Sequence, residues 1–384
     1  MPFDLSKIIR PKILNLEPYR CARDDFKEGV LLDANENAHG PTIKDVGTES
    51  KLHRYPDPHQ LELKNLMANY RNKHSSFKDQ NLPPLTAENI CLGVGSDESI
   101  DALIRVCCVP SKDKIMIMPP TYGMYSICAD INDVGCVKVP LVAEDNSFQM
   151  DTSKVLETLA QDPTIKLIFI TSPGNPTAAL IDTAEIEKVL NNWTGGLVVV
   201  DEAYIDFCGG STTPLVNKYP NLAVIQTMSK SFGLAGVRLG LAFTSTQISR
   251  VLNSMKAPYN ISAMTSEVCL RALQPDNLEN MEYTAELINE QKSRVLKELT
   301  SLEYVENEHI GGLDANFILI RLKDGNNELA KSLYYNLATE SGVVTRFRGN
   351  EPGCSGGIRI AIGTPEENDI LIREFKRQLD KLTK

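Results

Sequence analysis

Three short apolar runs in this chain each lead to a residue able to do chemistry. LIFITSPGNPT carries Asn175 just past one run, LVVVDEAY ends another on Asp201 with Tyr204 three residues on, and AVIQTMSK delivers Lys230 just past a third. A carboxylate at the tip of an apolar run seeks a partner, because burying it unpaired is costly. A lysine deep in a sheet cleft loses proton affinity by desolvation, and the neutral amine can add to a carbonyl carbon. Ser229 and Arg238 flank that lysine as donors for an anion, with Thr227 as a lesser candidate. Upstream, GVGSDESIDALIRVC places a glycine-bearing turn at Gly95 before a helical face of Ile100, Leu103, Ile104 and Cys107, with Ser96 and Asp97 expected at the N-cap. The N–H groups and positive end of such a helix suit a phosphate.

Taken singly, each feature has a plain reading: a turn asparagine, a core tyrosine, a surface lysine beside a turn, an ordinary capped helix. Together they match the needs of a pyridoxal ring, which takes an acid at its nitrogen, donors at its phenolic oxygen, a lysine at its aldehyde and an anion cradle at its phosphate.

The elements that would position these groups are legible as alternation. From about residue 90 to 250, the runs KIMIM, CVKVPL, KLIFI, LVVVD, AVIQTM and RLGLAF alternate with helical segments, the pattern of an α/β fold with a mostly parallel sheet. Ligands of such sheets gather at the carboxyl ends of the strands. Residues 71 to 89 are polar and proline-bearing and read as a surface loop without function. A helical stretch from about 263 to 300 leads to ANFILIRL, ELAKSLYYNLATESG, IRIAIG and TPEENDILIREFKRQL, a small α+β unit. The expected organisation is an arm over 1–45 contributing to the small domain and a dimer, a large cofactor-binding domain over 46–262 and a small domain over 263–384.

A chain of 384 residues is too long for one ordinary core, and two domains allow a cleft between them. Its net charge of −10, without a basic run, argues against nucleic acid and anionic membranes and leaves small molecules as ligands. The apolar runs are strand-sized, far short of the roughly 20 residues that span a bilayer. Charges throughout MPFDLSKIIRPKILNLEPYR do not suit a secretory signal, so a cytoplasmic protein is expected. The nine cysteines form no CxxC pair, and His39, His53, His59, His74 and His309 lack ligand spacing, so reduced thiols and no metal are expected.

Read together, SPGNPT, DEAY and SKSFGLAGVRLG resemble the fold-type I, aspartate-aminotransferase-like pyridoxal-phosphate enzymes, in order and over nearly the full length. That resemblance implies Lys230 as the Schiff-base lysine, Asp201 as the partner of the pyridinium nitrogen, and Asn175 and Tyr204 as donors to the phenolic oxygen. Gly95, Ser96, Asp97, Ser229 and Arg238 would hold the phosphate, and Tyr122 in PTYGMY would stack on the ring. LEPYRCAR, LDANEN, HRYPDP, GVGSDE and IRIAIGTPEEN resemble, more narrowly, the histidinol-phosphate aminotransferase branch. It implies transfer between histidinol phosphate and glutamate or 2-oxoglutarate, a step of histidine biosynthesis. Tyr55 would reach the cofactor phosphate of the other subunit of a homodimer, and Tyr19, Asn35, Tyr55, Asn175, Arg346 and Arg359 would lie on the substrate side, with Arg348 a weaker candidate. Two departures stand out: ANENAHGP in place of LDANENP, and Ala178 in place of the glycine of NPTG, where a residue with a Cβ is expected to avoid positive φ. The rival readings are another aminotransferase of this subgroup, a threonine-phosphate decarboxylase, and a catalytically idle ligand sensor.

Overall fold

The computed structural model describes residues 3–18, 20, 34, 39, 51–74 and 81–384. Its first sheet contains Ile90–Val94 (β1), Lys114–Ile117 (β2), Gly135–Lys138 (β3), Ile165–Thr171 (β4), Leu197–Asp201 (β5), Leu222–Thr227 (β6) and Leu239–Thr244 (β7). The order across the sheet is β1-β7-β6-β5-β4-β2-β3. β7 runs antiparallel to β1 and β6, and the remaining pairings are parallel.

The helices are Pro11–Leu14 (α1), Leu61–Lys73 (α2), Gly95–Cys107 (α3), Met124–Ile131 (α4), Thr152–Gln161 (α5), Thr183–Asn192 (α6), Thr246–Met255 (α7), Ala263–Ala272 (α8), Pro275–Thr300 (α9), Asn327–Ser341 (α10) and Pro365–Thr383 (α11). Side chains of the central strands alternate between two cores. Val198 and Val200 of β5 join one cluster, while Leu197 and Val199 join the other. Both faces are therefore covered, which is why these strands read as unbroken apolar runs. A second sheet of Phe317–Arg321 (β8), Arg346–Phe347 (β9) and Gly357–Ala361 (β10), in the order β8-β10-β9, packs with α9, α10 and α11 around its own core. Residues 3–18 lie on the first sheet's side, where Ile8 and Ile9 are buried with α3 and α7.

Two expectations change. β1 is absent from the expected strands; ICLGV pairs with Leu239 to Phe243 of β7 and is buried except at Val94. The expected loop over 71–89 begins inside a helix, because Leu63, Met67 and Tyr70 recur at helical spacing and bury one face of α2 as far as its last turn. Arg71 lies on that buried side.

Candidate active site

β4, β5 and β6 run parallel, so their carboxyl ends open on one edge, into a cavity of about 470 Å³ lined by Thr171, Asp201 and Thr227. Lys230 lies three residues past β6 and Asn175 four past β4, and both line the same space. Volumes of roughly 300–1,000 Å³ are usual for small-molecule sites.

Asp201 is 3% exposed at the floor. Burial raises its carboxyl to about 6, against the lowering effect of hydrogen bonds from the Tyr125 hydroxyl and the Ala203 N–H. These donors lie 2.7 and 3.1 Å away. Among the described residues no lysine, arginine or histidine pairs with it, so this acid is supplied with neutral donors and no cation. Tyr125 was not anticipated. It stands three residues after Tyr122, its ring stacks on Phe169 at 4.7 Å, and its hydroxyl lies 2.9 Å from that of Thr171. The sequence signal was the second tyrosine of PTYGMY, which resembles a core residue until the fold lays it against Asp201.

Tyr204 packs edge-on against Phe317 at 5.2 Å, and the Lys230 ammonium lies 5.7 Å from its ring centre. Burial pushes the Tyr204 phenol up to about 12, so it remains a donor at neutral pH. Crowding by protein, then by Arg359 and Arg238, lowers the Lys230 amine, while Asp201 and Asp97 act the other way. The amine is nevertheless open to the cleft. Asn175 accepts from Arg359 Nη1 through its Oδ1, which leaves its amide N–H₂ to donate.

The anion cradle is assembled from β7 and the start of α3. The helix begins at Gly95, so Ser96 and Asp97 occupy its first turn and not the N-cap, which is Val94. Glu98 reaches back to the Val94 N–H, replacing the side-chain cap that Val94 cannot give. Arg238, in the left-handed region at φ 57, sends its guanidinium to 3.5 Å from both Asp97 and the Ser229 hydroxyl. Thr227 and Ser229 hydroxyls are 2.9 Å apart. Tyr122 donates to Asp97 at 3.1 Å and lines the cavity.

Close backbone approach sets this cradle. A Cβ on Gly240 would sit 2.2 Å from the Gly95 carbonyl carbon and 2.4 Å from the Ser96 nitrogen. Gly240→Ala is therefore expected to displace the start of α3, costing about 1–3 kcal/mol of stability and weakening phosphate binding. Thermal melting and phosphate titration of the purified chain check this, and a melt and affinity equal to those of the parent would contradict it.

Ala178 departs from expectation. It takes φ 52 while fully buried. Its N–H donates to the Gly174 carbonyl at 2.8 Å, and its own carbonyl accepts from the Asp314 N–H at 2.9 Å. Hydrogen bonds on both sides hold a conformation that costs an L-residue roughly 1–2 kcal/mol.

Arg346, Arg348 and Arg359 line the cavity from β9, the residue after β9 and β10. Arg346 and Arg359 are register partners. Burial and then the neighbouring Arg348 lower the Arg359 guanidinium, so like charges are crowded here. Arg348 is also paired with Glu351 at 2.8 Å. Tyr55 does not line its own chain's cavity; it is 53% exposed and stacks on Tyr259 at 4.6 Å. Tyr19 and Asn35 lie outside the described residues.

These groups fit pyridoxal phosphate: an acid lacking a cation, two phenolic-oxygen donors, an accessible amine of lowered proton affinity and a crowded anion cradle.

Comparison with known proteins agrees with this chemistry. The profile of the family described as "Aminotransferase class I and II" matches residues 26–375. The chain is 65% identical over 383 residues to a histidinol-phosphate aminotransferase of Saccharomyces cerevisiae, covering 100% of this chain and 99% of that protein. To the enzyme of the same name from Schizosaccharomyces pombe it is 51% identical, covering 99% and 98%. The fold matches a crystal structure of histidinol-phosphate aminotransferase from Sinorhizobium meliloti in complex with pyridoxal-5'-phosphate, with a TM-score of 0.76 and 19% identity over 91% of this chain and 90% of that one.

Proposed function

This chain belongs to the class I and II aminotransferases, and we propose that its cavity holds pyridoxal 5'-phosphate and exchanges an amino group between histidinol phosphate and 2-oxoglutarate, a step of histidine biosynthesis. What carries the substrate assignment is a second cationic surface. Arg346, Arg348 and Arg359 come from the second sheet, whereas the cradle of Ser96, Ser229 and Arg238 comes from the first. One cavity thus offers separate places for two anions, and relatives as similar as 65% are named for a phosphorylated amine.

When bound, the cofactor supplies an aldehyde that bonds amines and an electron-poor ring beside it. Lys230 would offer the amine for that bond, and its free Nζ would be the group that moves the proton of the substrate's α-carbon. Asp201, which has no cationic partner in its own chain's described residues, would keep the ring nitrogen protonated. Asn175 and Tyr204 would donate to the ring oxygen, and Tyr122 would stack on the ring. Gly95 and Gly240 bring the start of α3 close enough for its N–H groups to share the phosphate with Ser96, Ser229 and Arg238, and Asp97 and Thr227 orient the last two. Arg359 and Arg346 hold, in turn, the substrate's phosphate and a dicarboxylate, because a guanidinium fork serves either anion. Tyr19 and Asn35 belong to the same substrate side.

A homodimer with shared sites would give Tyr55, which is exposed and does not line its own chain's cavity, a place at the partner's phosphate. We further place the arm over 1–45, a cofactor-binding domain over 46–262 and a smaller domain over 263–384, so that the cavity lies between the last two. Free cysteines such as Cys91 and Cys107 suit the reducing cytoplasm.

Adding histidinol phosphate to the loaded enzyme is expected to bleach its visible band, and 2-oxoglutarate to restore it. Arg359→Ala should raise KM for both substrates by about 30-fold or more, the effect of truncating one buried charged partner. Faster reaction with phenylalanine, release of carbon dioxide, or no turnover would each overturn this reading.

A further inference from the structure

The residue after the reactive lysine has one side-chain hydrogen bond, and it leads away from the cavity. Ser231 donates from its hydroxyl to Asp206 Oδ2 at 2.5 Å. Asp206 belongs to the short turn Ile205–Phe207 that follows Tyr204. Its other oxygen accepts from Arg71 Nη1 at 2.6 Å. Arg71, in the last turn of α2, donates from Nε to Gln226 Oε1 at 2.8 Å. Gln226 then donates to Glu202 Oε2 at 2.7 Å, and Glu202 is the neighbour of Asp201. Ser211 and Thr212 hydroxyls satisfy the rest of Glu202. One buried chain of hydrogen bonds therefore links the residue beside Lys230 to the residue beside Asp201.

Stability alone is a poor reason for such a construction. The Arg71 and Asp206 side chains are 6% and 8% exposed, and a buried ion pair is often no better than apolar packing of the same volume. What it offers is direction: two ionised partners with fixed donors tolerate little displacement. The Asp206 carboxyl is pushed up by burial, but Arg71 and the Ser231 hydroxyl outweigh that and hold it below its ordinary value. His74 faces it more weakly, and the Tyr70 ring lies under the Arg71 guanidinium at 4.8 Å.

We propose that Asp206 is a positioning residue for the transamination: clamped by Arg71, its carboxylate anchors Ser231 and so fixes the turn that aims the Lys230 amine. The proposal rests on Lys230 being the amine that bonds the cofactor. Asp206 does not line the cavity; it acts through the serine next to the amine. The turn itself is otherwise tied by backbone bonds, from Gly233 N–H to the Lys230 carbonyl at 3.0 Å and from Leu234 N–H to the Met228 carbonyl at 3.1 Å. Neither sets the direction in which the lysine side chain leaves.

The test uses the loaded, full-length enzyme with Ser231→Ala, which removes one hydroxyl and leaves the ion pair intact. The pH at which the visible band titrates is expected to move by about half a unit or more, and kcat to fall about tenfold with KM within about twofold, as for a displaced reacting group. Ser231→Thr should restore both. A titration midpoint and kcat equal to those of the parent, a lowered melting temperature alone, or no restoration by threonine would overturn the proposal. The two readings fail differently: were Lys230 not the amine, borohydride treatment of the parent enzyme would leave the cofactor's mass on a peptide without Lys230, whatever Ser231→Ala does.

Discussion

Lys230→Ala yields a folded chain whose amino transfer is slower by about 10⁴-fold or more, since it loses both the covalent anchor and the group that moves the α-proton. Folding should survive because the Lys230 ammonium makes no side-chain hydrogen bond among the described residues and is crowded by Arg359 and Arg238. Removing it relieves like-charge repulsion. Stopped-flow mixing with histidinol phosphate measures the rate, and borohydride treatment of the parent should leave the cofactor's mass on the peptide containing Lys230. A rate within about tenfold of the parent, or label on another lysine, would remove the basis of the mechanism.

Asp201→Asn is expected to slow transfer by about 10³-fold, because an amide cannot hold the proton on the ring nitrogen while charge develops there. It should also invert the stability comparison in the cofactor-free chain. Burial raises the Asp201 carboxyl to about 6 from an ordinary value of 3.8. Between those values the folded state holds more protons than the unfolded state, so stability falls as pH rises through that window. Above it, the ionised acid costs roughly 3 kcal/mol, a cost absent while both states are protonated. The asparagine variant, free of cofactor, should therefore melt higher than the parent at about pH 8 and equally at about pH 3. Melting curves at the two pH values decide it; a variant less stable at the higher pH would mean that Tyr125 and Ala203 already offset the charge.

The gain should vanish on adding cofactor. With a protonated ring nitrogen opposite it, the parent carboxylate acquires the cation that its own chain withholds, so the parent becomes the more stable of the two at the higher pH. The same acid is thus expected to be a burden to the empty fold and an asset to the loaded one.

The polar residues that line the cavity at the strand ends were readable because the fold presents them in sequence order. β4, β5 and β6 are apolar on both faces, so each run could be recognised without knowing its neighbours, and the residue ending or following each run was marked as exceptional by its polarity. Tyr125 and Thr171 were not readable in that way. A tyrosine in an apolar helix and a threonine closing a strand are ordinary core residues until α4 is laid over β4 and β5. Arg71 was hidden more completely: in RNKHSS it reads as one more solvated charge, and only the packing of α2 against Asp206 and Gln226 turns it inward.

The positive φ of Ala178 had no local signal, because local sterics oppose it. It is sustained by bonds from Gly174 and Asp314, the latter 136 residues further along the chain. By itself, then, the sequence determined the alternation of strands and helices, the glycines at close backbone approaches, and the polar residues placed at strand ends, since periodicity, polarity and missing Cβ atoms are local properties. The tertiary structure decided which charges are buried, which acid lacks a counter-ion, and which hydroxyl reaches which carboxylate. Those depend on distances between segments far apart in the chain, and electrostatic energies follow distance and solvent exclusion, not order along the backbone.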